Sequence, residues 1–399
     1  MRTQRLGHLA LGMAVLGLLH AGCQSTDTGG TAPDDQGASV DGGTDGGASC
    51  SPEGAFDGAP ITATAGEWTW VDVPSAVCRT GSPTGFGIRL NPASDKLMIY
   101  FQGGGACFNS ATCSSNSGTF GSSEFAVAKA VAGQRGVFNS SDANNPFKDW
   151  NLIFVPYCTG DVHAGSATGV TVPGSGSPTN QQFVGYRNVG LFLKRIVPTF
   201  PSVSKVLVTG SSAGGFGALV NYHRIAQAFC PRQVSLVNDS GPIFSDTYLA
   251  PCLQKRWRQL WNFDSQLPAD CTNCSNADGG GFFNVERYLS KKYSAQRLGL
   301  ISYTQDSTIA YFYGFGQNNC AGIDGNPGAL SGTTFQSGLT ELRDSYLKPD
   351  GAWSTFYPAG TSHTILLDTN YSSFSTAGTK LTDWMSNIVN QGNPTHVGP

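Results

Sequence analysis

The 399-residue chain reads as an α/β protein with a mostly parallel central sheet, flanking helices and disulfide-bonded loops. Three observations predict this. Short β-rich runs alternate with helix-period segments along most of the chain. Several of those runs are apolar at every position, as expected of strands buried on both faces of a parallel sheet. An even set of cysteines follows an export-type leader, which reads as a disulfide framework.

The chain opens on Arg2 and Arg5 followed by an apolar run over 9–19, too short to span a bilayer and suited to a signal peptide at 1–22. The run ends in LHAGC, which resembles a bacterial lipobox and makes Cys23 the candidate for lipidation. This predicts an exported protein, anchored to the outer membrane or secreted. Residues 23–49 are Gly, Asp, Ser, Thr and Ala with almost no large apolar side chain, so they read as a flexible tether. A single domain is expected over 50–395. Its ten cysteines (50, 78, 107, 113, 158, 230, 252, 271, 274 and 320) read as disulfides; Cys271 and Cys274 have the spacing of a redox or zinc pair but neither a second such pair nor a nearby histidine.

Within the domain, strands are predicted at 96–102, 151–157, 205–210, 234–238, 298–304 and 353–357. Helices are predicted at 186–200, 214–229, 247–263, 335–347 and 381–390, and long Ser/Gly loops at 112–139 and 162–179. With 24 Lys+Arg against 27 Asp+Glu and a net charge of −3, the chain offers no basic surface for nucleic acid.

The chemistry-bearing motif is GSSAGG at 210–215, where a predicted strand turns into a predicted helix. A serine on such a turn is pushed outward at the carboxyl edge of the sheet, with small neighbours and a helix N-terminus behind it. Ser212 holds the nucleophile position of this G-x-S-x-G pattern, and Ser211 its variable position. A serine hydroxyl needs a general base. Of the six histidines, His8 and His20 lie in the leader, His396 in the tail, and His223 well along the helix after Ser212, which leaves His163 and His363. His363, in a small-residue loop after the last predicted strand, alone gives the α/β-hydrolase order of Ser, acid, His. Asp306, directly after the strand at 298–304, is the first candidate for the acid; Asp239 is the alternative, or a turn-forming residue. Gly103, Gly104 and Gly105 follow the first predicted strand, and backbone N–H groups of Gly104, Gly105 and Ala213 are the candidate oxyanion donors. No metal or organic cofactor is required.

QGGGAC (102–107), PYCTGDVHAG (156–165), GSSAGG, NDSGP (238–242) and GTSHT (360–364), in that order, resemble the pectin acetylesterases of plants and bacteria together with the Notum carboxylesterases. The resemblance implies an α/β-hydrolase fold with Ser212, Asp306 and His363 in the catalytic roles and Gly104, Gly105 and Ala213 at the oxyanion site. It implies carboxylic ester hydrolysis, with an O-acetylated polysaccharide such as pectin as substrate. Two positions depart from the family pattern: Gln102 stands where Glu is usual, and Ala106 where an aromatic is usual. The small side chain at 106 opens the question of acyl length. Asp161 and His163 either line the substrate cleft or brace a loop. The expected partner is an acylated carbohydrate, with membrane contact only through the lipid at Cys23 and a monomeric state. Longer-chain deacylation and non-catalytic polysaccharide binding are the competing readings.

Overall fold

The computed structural model describes residues 50–52 and 54–399; the predicted leader, tether and Cys23 lie outside the described residues. The strands in chain order are β1 (Trp68–Val77), β2 (Pro83–Arg89), β3 (Lys96–Phe101), β4 (Asn151–Val155), β5 (Lys205–Ser211), β6 (Gln233–Asp239), β7 (Leu298–Ile301), β8 (Trp353–Phe356) and β9 (His396–Val397). They form one nine-stranded sheet in the order β1-β2-β4-β3-β5-β6-β7-β8-β9. The pairs β1·β2 and β2·β4 are antiparallel, and every other neighbour is parallel. The main helices are α1 (Ser122–Ala132), α2 (Gly185–Thr199), α3 (Ala213–Phe229), α4 (Pro251–Trp261), α5 (Asn284–Lys292), α6 (Ser307–Gly314), α7 (Gly332–Glu341) and α8 (Leu381–Val389). No helix among the described residues is long and apolar enough to cross a membrane.

Side chains alternate across a strand, and β3 shows the consequence. Leu97, Ile99 and Phe101 pack into one core cluster, and Met98 and Tyr100 into another. Both faces are therefore covered, which is why β3 to β8 read as nearly unbroken apolar runs.

The edges differ from the sequence expectation. β1 and β2 were not predicted. β1 is half-exposed along most of its length, and β2 carries two glycines because its neighbours crowd it. A Cβ at Gly85 would lie 2.0 Å from the Val71 carbonyl oxygen, and one at Gly87 would lie 2.3 Å from the Phe125 ring. The sheet also runs past the expected domain end at 395, since Thr355 pairs with His396 and Phe356 with Val397. His396 is thus a strand residue. The predicted loop at 112–139 holds α1, and the loop at 162–179 contributes Ala167–Val170 to a two-stranded ribbon with Gln181–Phe183. The helix predicted at 335–347 starts at Gly332 and ends in a π turn, Leu342–Leu347. The ten domain cysteines form five disulfides: Cys50–Cys230, Cys78–Cys158, Cys107–Cys113, Cys252–Cys320 and Cys271–Cys274.

Candidate active site

Ser212 sits between the end of β5 and the start of α3 with φ 60° and ψ −125°, a conformation that an L-residue adopts only when its surroundings enforce it. The enforcement is steric and polar. The Ser212 N–H donates to the Asp239 carbonyl at 2.7 Å, and its carbonyl accepts from Gly215 N at 2.8 Å. A Cβ at Gly214 would lie 2.0 Å from the Phe101 carbonyl oxygen, so only glycine lets α3 start this close to the end of β3. As the first residue of α3, Ala213 brings a helix N-terminal N–H with no intrahelical acceptor.

The glycine loop after β3 lies against this turn. Gly103 is the contact point: a Cβ there would lie 2.4 Å from the Ser211 carbonyl oxygen and 2.9 Å from the Ser212 Cβ. Three side chains pin the loop carbonyls from outside. His163 Nε2 lies 2.9 Å from the Gln102 oxygen, Asn116 Nδ2 donates to the Gly104 oxygen at 2.7 Å, and the Tyr157 hydroxyl donates to the Gly105 oxygen at 2.9 Å. In a trans peptide the N–H points away from the C=O, so these bonds fix the N–H directions of Gly103, Gly105 and Ala106. Gly105 and Ala213 line one pocket together with Ser212; Gly104 is not part of that lining.

Asp306 is the N-cap of α6. Its Oδ1 accepts from Thr308 N at 2.9 Å and Ile309 N at 3.0 Å, and its Oδ2 lies 2.7 Å from His363 Nδ1. The carboxylate is wholly buried, while the imidazole keeps 20% of its surface exposed. With Nδ1–H given to Asp306, the neutral ring presents a lone pair at Nε2, and that atom is buried with no hydrogen-bond partner.

Asp239, the alternative acid, is committed elsewhere. Its Oδ2 accepts from the Ser211 hydroxyl at 2.7 Å, Ile365 N at 3.0 Å and Leu366 N at 3.1 Å. It ties the residue before Ser212 to the loop after His363, which brings both to one edge of the sheet. Burial raises its pKa, opposed by these donors.

Asp161 and His163 do not face the cleft: they are 0% and 2% exposed. Asp161 accepts from the Thr159 hydroxyl and from the N–H groups of His163, Gly165 and Gly185, caging the turn. His163 spans the space between α3 and the glycine loop. Asn221 Nδ2 donates to its carbonyl at 3.0 Å, and its ring packs where a Cβ on Gly217 would stand. Burial lowers its pKa to about 4, so the ring is neutral at ordinary pH. Asp324, a more remote acid in sequence, pairs with Arg256.

The pocket at Ser212 is apolar. Phe216, Trp257, Trp261, Phe263, Phe282 and Phe312 supply rings, and Ala106 supplies a small wall; the space between atoms is about 520 Å³, part of it open to solvent. Sequence reasoning placed Gly103 in the glycine loop but did not find Asn116 or Tyr157, and of these two only Tyr157, inside PYCTGD, had a motif to mark it.

A serine on a strained strand-to-helix turn, a glycine loop against it and an Asp–His pair from the loops after β7 and β8, on a mostly parallel sheet flanked by helices, are those of an α/β-hydrolase-like fold. The pectinacetylesterase family model matches residues 63–292, and the chain belongs to that family. The matched region contains Ser212 and the glycine loop and ends before Asp306 and His363. Among curated proteins, the palmitoleoyl-protein carboxylesterase NOTUM of Homo sapiens is 30% identical over 162 residues, 38% of this chain and 30% of that protein. The NOTUM of Drosophila melanogaster is 27% identical over 220 residues (50% of this chain, 31% of that protein), and that of Schmidtea mediterranea 32% over 156 residues (37% and 28%). The alignments thus span less than a third of these relatives' lengths.

Proposed function

We propose that this protein is a serine carboxylic ester hydrolase that removes O-acyl groups from a saccharide. The observation that carries this reading is His363 held at Nδ1 by Asp306, 2.7 Å away, with Nε2 buried and unpartnered, in a loop at the same carboxyl edge of the sheet that carries Ser212. In the proposed reaction Ser212 Oγ attacks the ester carbonyl carbon as its proton passes to His363 Nε2. The oxyanion is met by the N–H groups of the glycine loop and Ala213, and the imidazolium returns the proton to the departing alcohol. Water then attacks the acyl-enzyme with His363 again as base, releasing the carboxylic acid and regenerating Ser212.

An acetyl group on a polysaccharide is the substrate suggested by the family. A second reading, deacylation of longer chains, is favoured by the ring-lined pocket and by Ala106, which leaves its wall open. Hydrolysis of p-nitrophenyl esters from acetyl to palmitoyl by the full chain, beside Ser212→Ala, tests both. Activity that vanishes in the variant supports the esterase reading, and the chain length at the maximum chooses between acyl groups. Hydrolysis that survives in Ser212→Ala, or none at any length from folded protein, refutes it.

A further inference from the structure

We infer that Arg258, which lies outside the lining of the acyl pocket, selects the acyl group by fixing the part of the pocket wall carried on residues 262–283. The inference rests on the esterase reading above and names a positioning residue that acts on specificity through others.

α4 serves the pocket in two ways. Trp257 and Trp261, one turn apart, line it and stack with ring centroids 5.8 Å apart. Gln254 and Arg258, also one turn apart, are 0% and 6% exposed and reach into the connection between α4 and α5, residues 262–283. Apart from a 3-10 turn at Asp264–Gln266, that connection has no helix or strand among the described residues. A stretch of this length has little of its own to hold it in place. Yet it carries Phe263 and Phe282, near its two ends, into the pocket lining.

Arg258 supplies the hold. Its Nε donates to the Gly279 oxygen at 2.8 Å, and its Nη2 to the Cys274 oxygen at 2.8 Å and the Gly280 oxygen at 3.2 Å. Its Nη1 pairs with Asp264. One guanidinium thus ties the start of the connection to its middle and its end. Gln254 Oε1 adds a bond from Phe282 N at 3.1 Å, and Asp246 one from Gly281 N at 2.9 Å. The approach to α4 is close enough to require glycine: a Cβ at Gly279, where φ is +99°, would lie 2.4 Å from the Lys255 Cβ. The guanidinium carbon also lies 4.8 Å from the Phe263 ring centre and 5.8 Å from that of Phe282, and the two rings are 5.0 Å apart. Arg258 therefore holds both rings and the backbone that carries them.

Arginine suits this place because its planar group offers five donors in a fixed fork, enough for three carbonyls and a carboxylate together. A lysine ammonium keeps the charge but concentrates three donors at one point. Without the fork, the connection hangs on Gln254, Asp246 and the Cys271–Cys274 disulfide, and the two rings are free to draw back. A methylene in an apolar pocket is worth about tenfold or more in kcat/KM, so a wall that yields is read directly by acyl length.

The test is Arg258→Lys in the full chain, assayed with p-nitrophenyl acetate, hexanoate and octanoate beside thermal unfolding. The ratio of kcat/KM for octanoate to that for acetate is expected to rise at least about threefold over wild type. A ratio unchanged or lowered, even with a reduced Tm, makes Arg258 a residue of stability alone and overturns the inference. Where Arg258→Lys does not fold, Asp264→Asn releases one arm of the same clamp at a partly exposed carboxylate. Its ratio is expected to rise about twofold, and no rise there overturns the inference as well. Failure of the wild type to hydrolyse any of the three esters refutes the esterase reading instead.

Discussion

Replacing Asp306 by Asn separates its two jobs. Its Oδ1 caps α6 through Thr308 N and Ile309 N, and Asn serves that position about as well as Asp. Stability should fall by no more than about 1 kcal/mol, the size of the lost charge–dipole interaction. The other job cannot survive. An amide NH2 in place of Oδ2, 2.7 Å from His363 Nδ1, turns an acceptor into a donor and forces the ring proton onto Nε2. A protonated Nε2 has no lone pair to take the Ser212 proton. Loss of kcat should approach about 10⁴-fold, or about 5 kcal/mol in barrier. The assay is p-nitrophenyl ester turnover beside thermal unfolding, with Asp239→Asn in parallel. That second variant weakens the contacts to Ser211, Ile365 and Leu366 and should cost about 1–3 kcal/mol of stability. Retention of more than a tenth of kcat in Asp306→Asn would refute the assignment. So would a larger activity loss in an equally stable Asp239→Asn.

Four further outcomes follow from the structure. Ala106→Trp should fill the ring-lined pocket, lowering kcat/KM for octanoyl and longer esters by about tenfold or more while acetyl stays within about threefold; a chain-length series reads this directly. His163→Gln, by loosening the strut under the glycine loop, should lower kcat with little change in KM, measured by steady-state kinetics. The His163 pKa is about 4 when folded and near 6.5 when unfolded, so its contribution is complete above 6.5 and is lost as pH falls from there to 4. The wild type should therefore lose up to about 3 kcal/mol relative to His163→Gln over that window, measured by urea unfolding. Glu286 shows the opposite sign. Fully buried, with Oε2 unpartnered, its pKa is raised well above the usual carboxylate value, so its stability contribution is full below about pH 4.5 and erodes as pH rises. Glu286→Gln should raise Tm at pH 8 and leave it nearly unchanged at pH 4.

The interior of the fold was legible because burial on both faces writes a strand as a continuous apolar run, as in β3 and β5. The edge was not, because Gly85 and Gly87 answer contacts from Val71 and Phe125 that local sequence does not contain. The site divides in the same way. Ser212 stands in a local motif whose meaning depends on a strand before it and a helix after it, and both could be read. The struts could not: His163 meets the Gln102 oxygen across 61 residues, and Asn116 meets Gly104 across 12. Asp239 illustrates the ambiguity of a carboxylate at a strand end. In sequence it stood as a second acid, and only its three donors show it joining the serine turn to the histidine loop.

The central claim is that Ser212 is a nucleophile activated by His363. Its most direct test is intact-mass analysis after exposure to a fluorophosphonate, followed by peptide mapping. The account predicts one adduct, on Ser212, absent from Ser212→Ala and formed far more slowly in His363→Ala. Labelling of another serine, or unchanged labelling of Ser212 without His363, would contradict it.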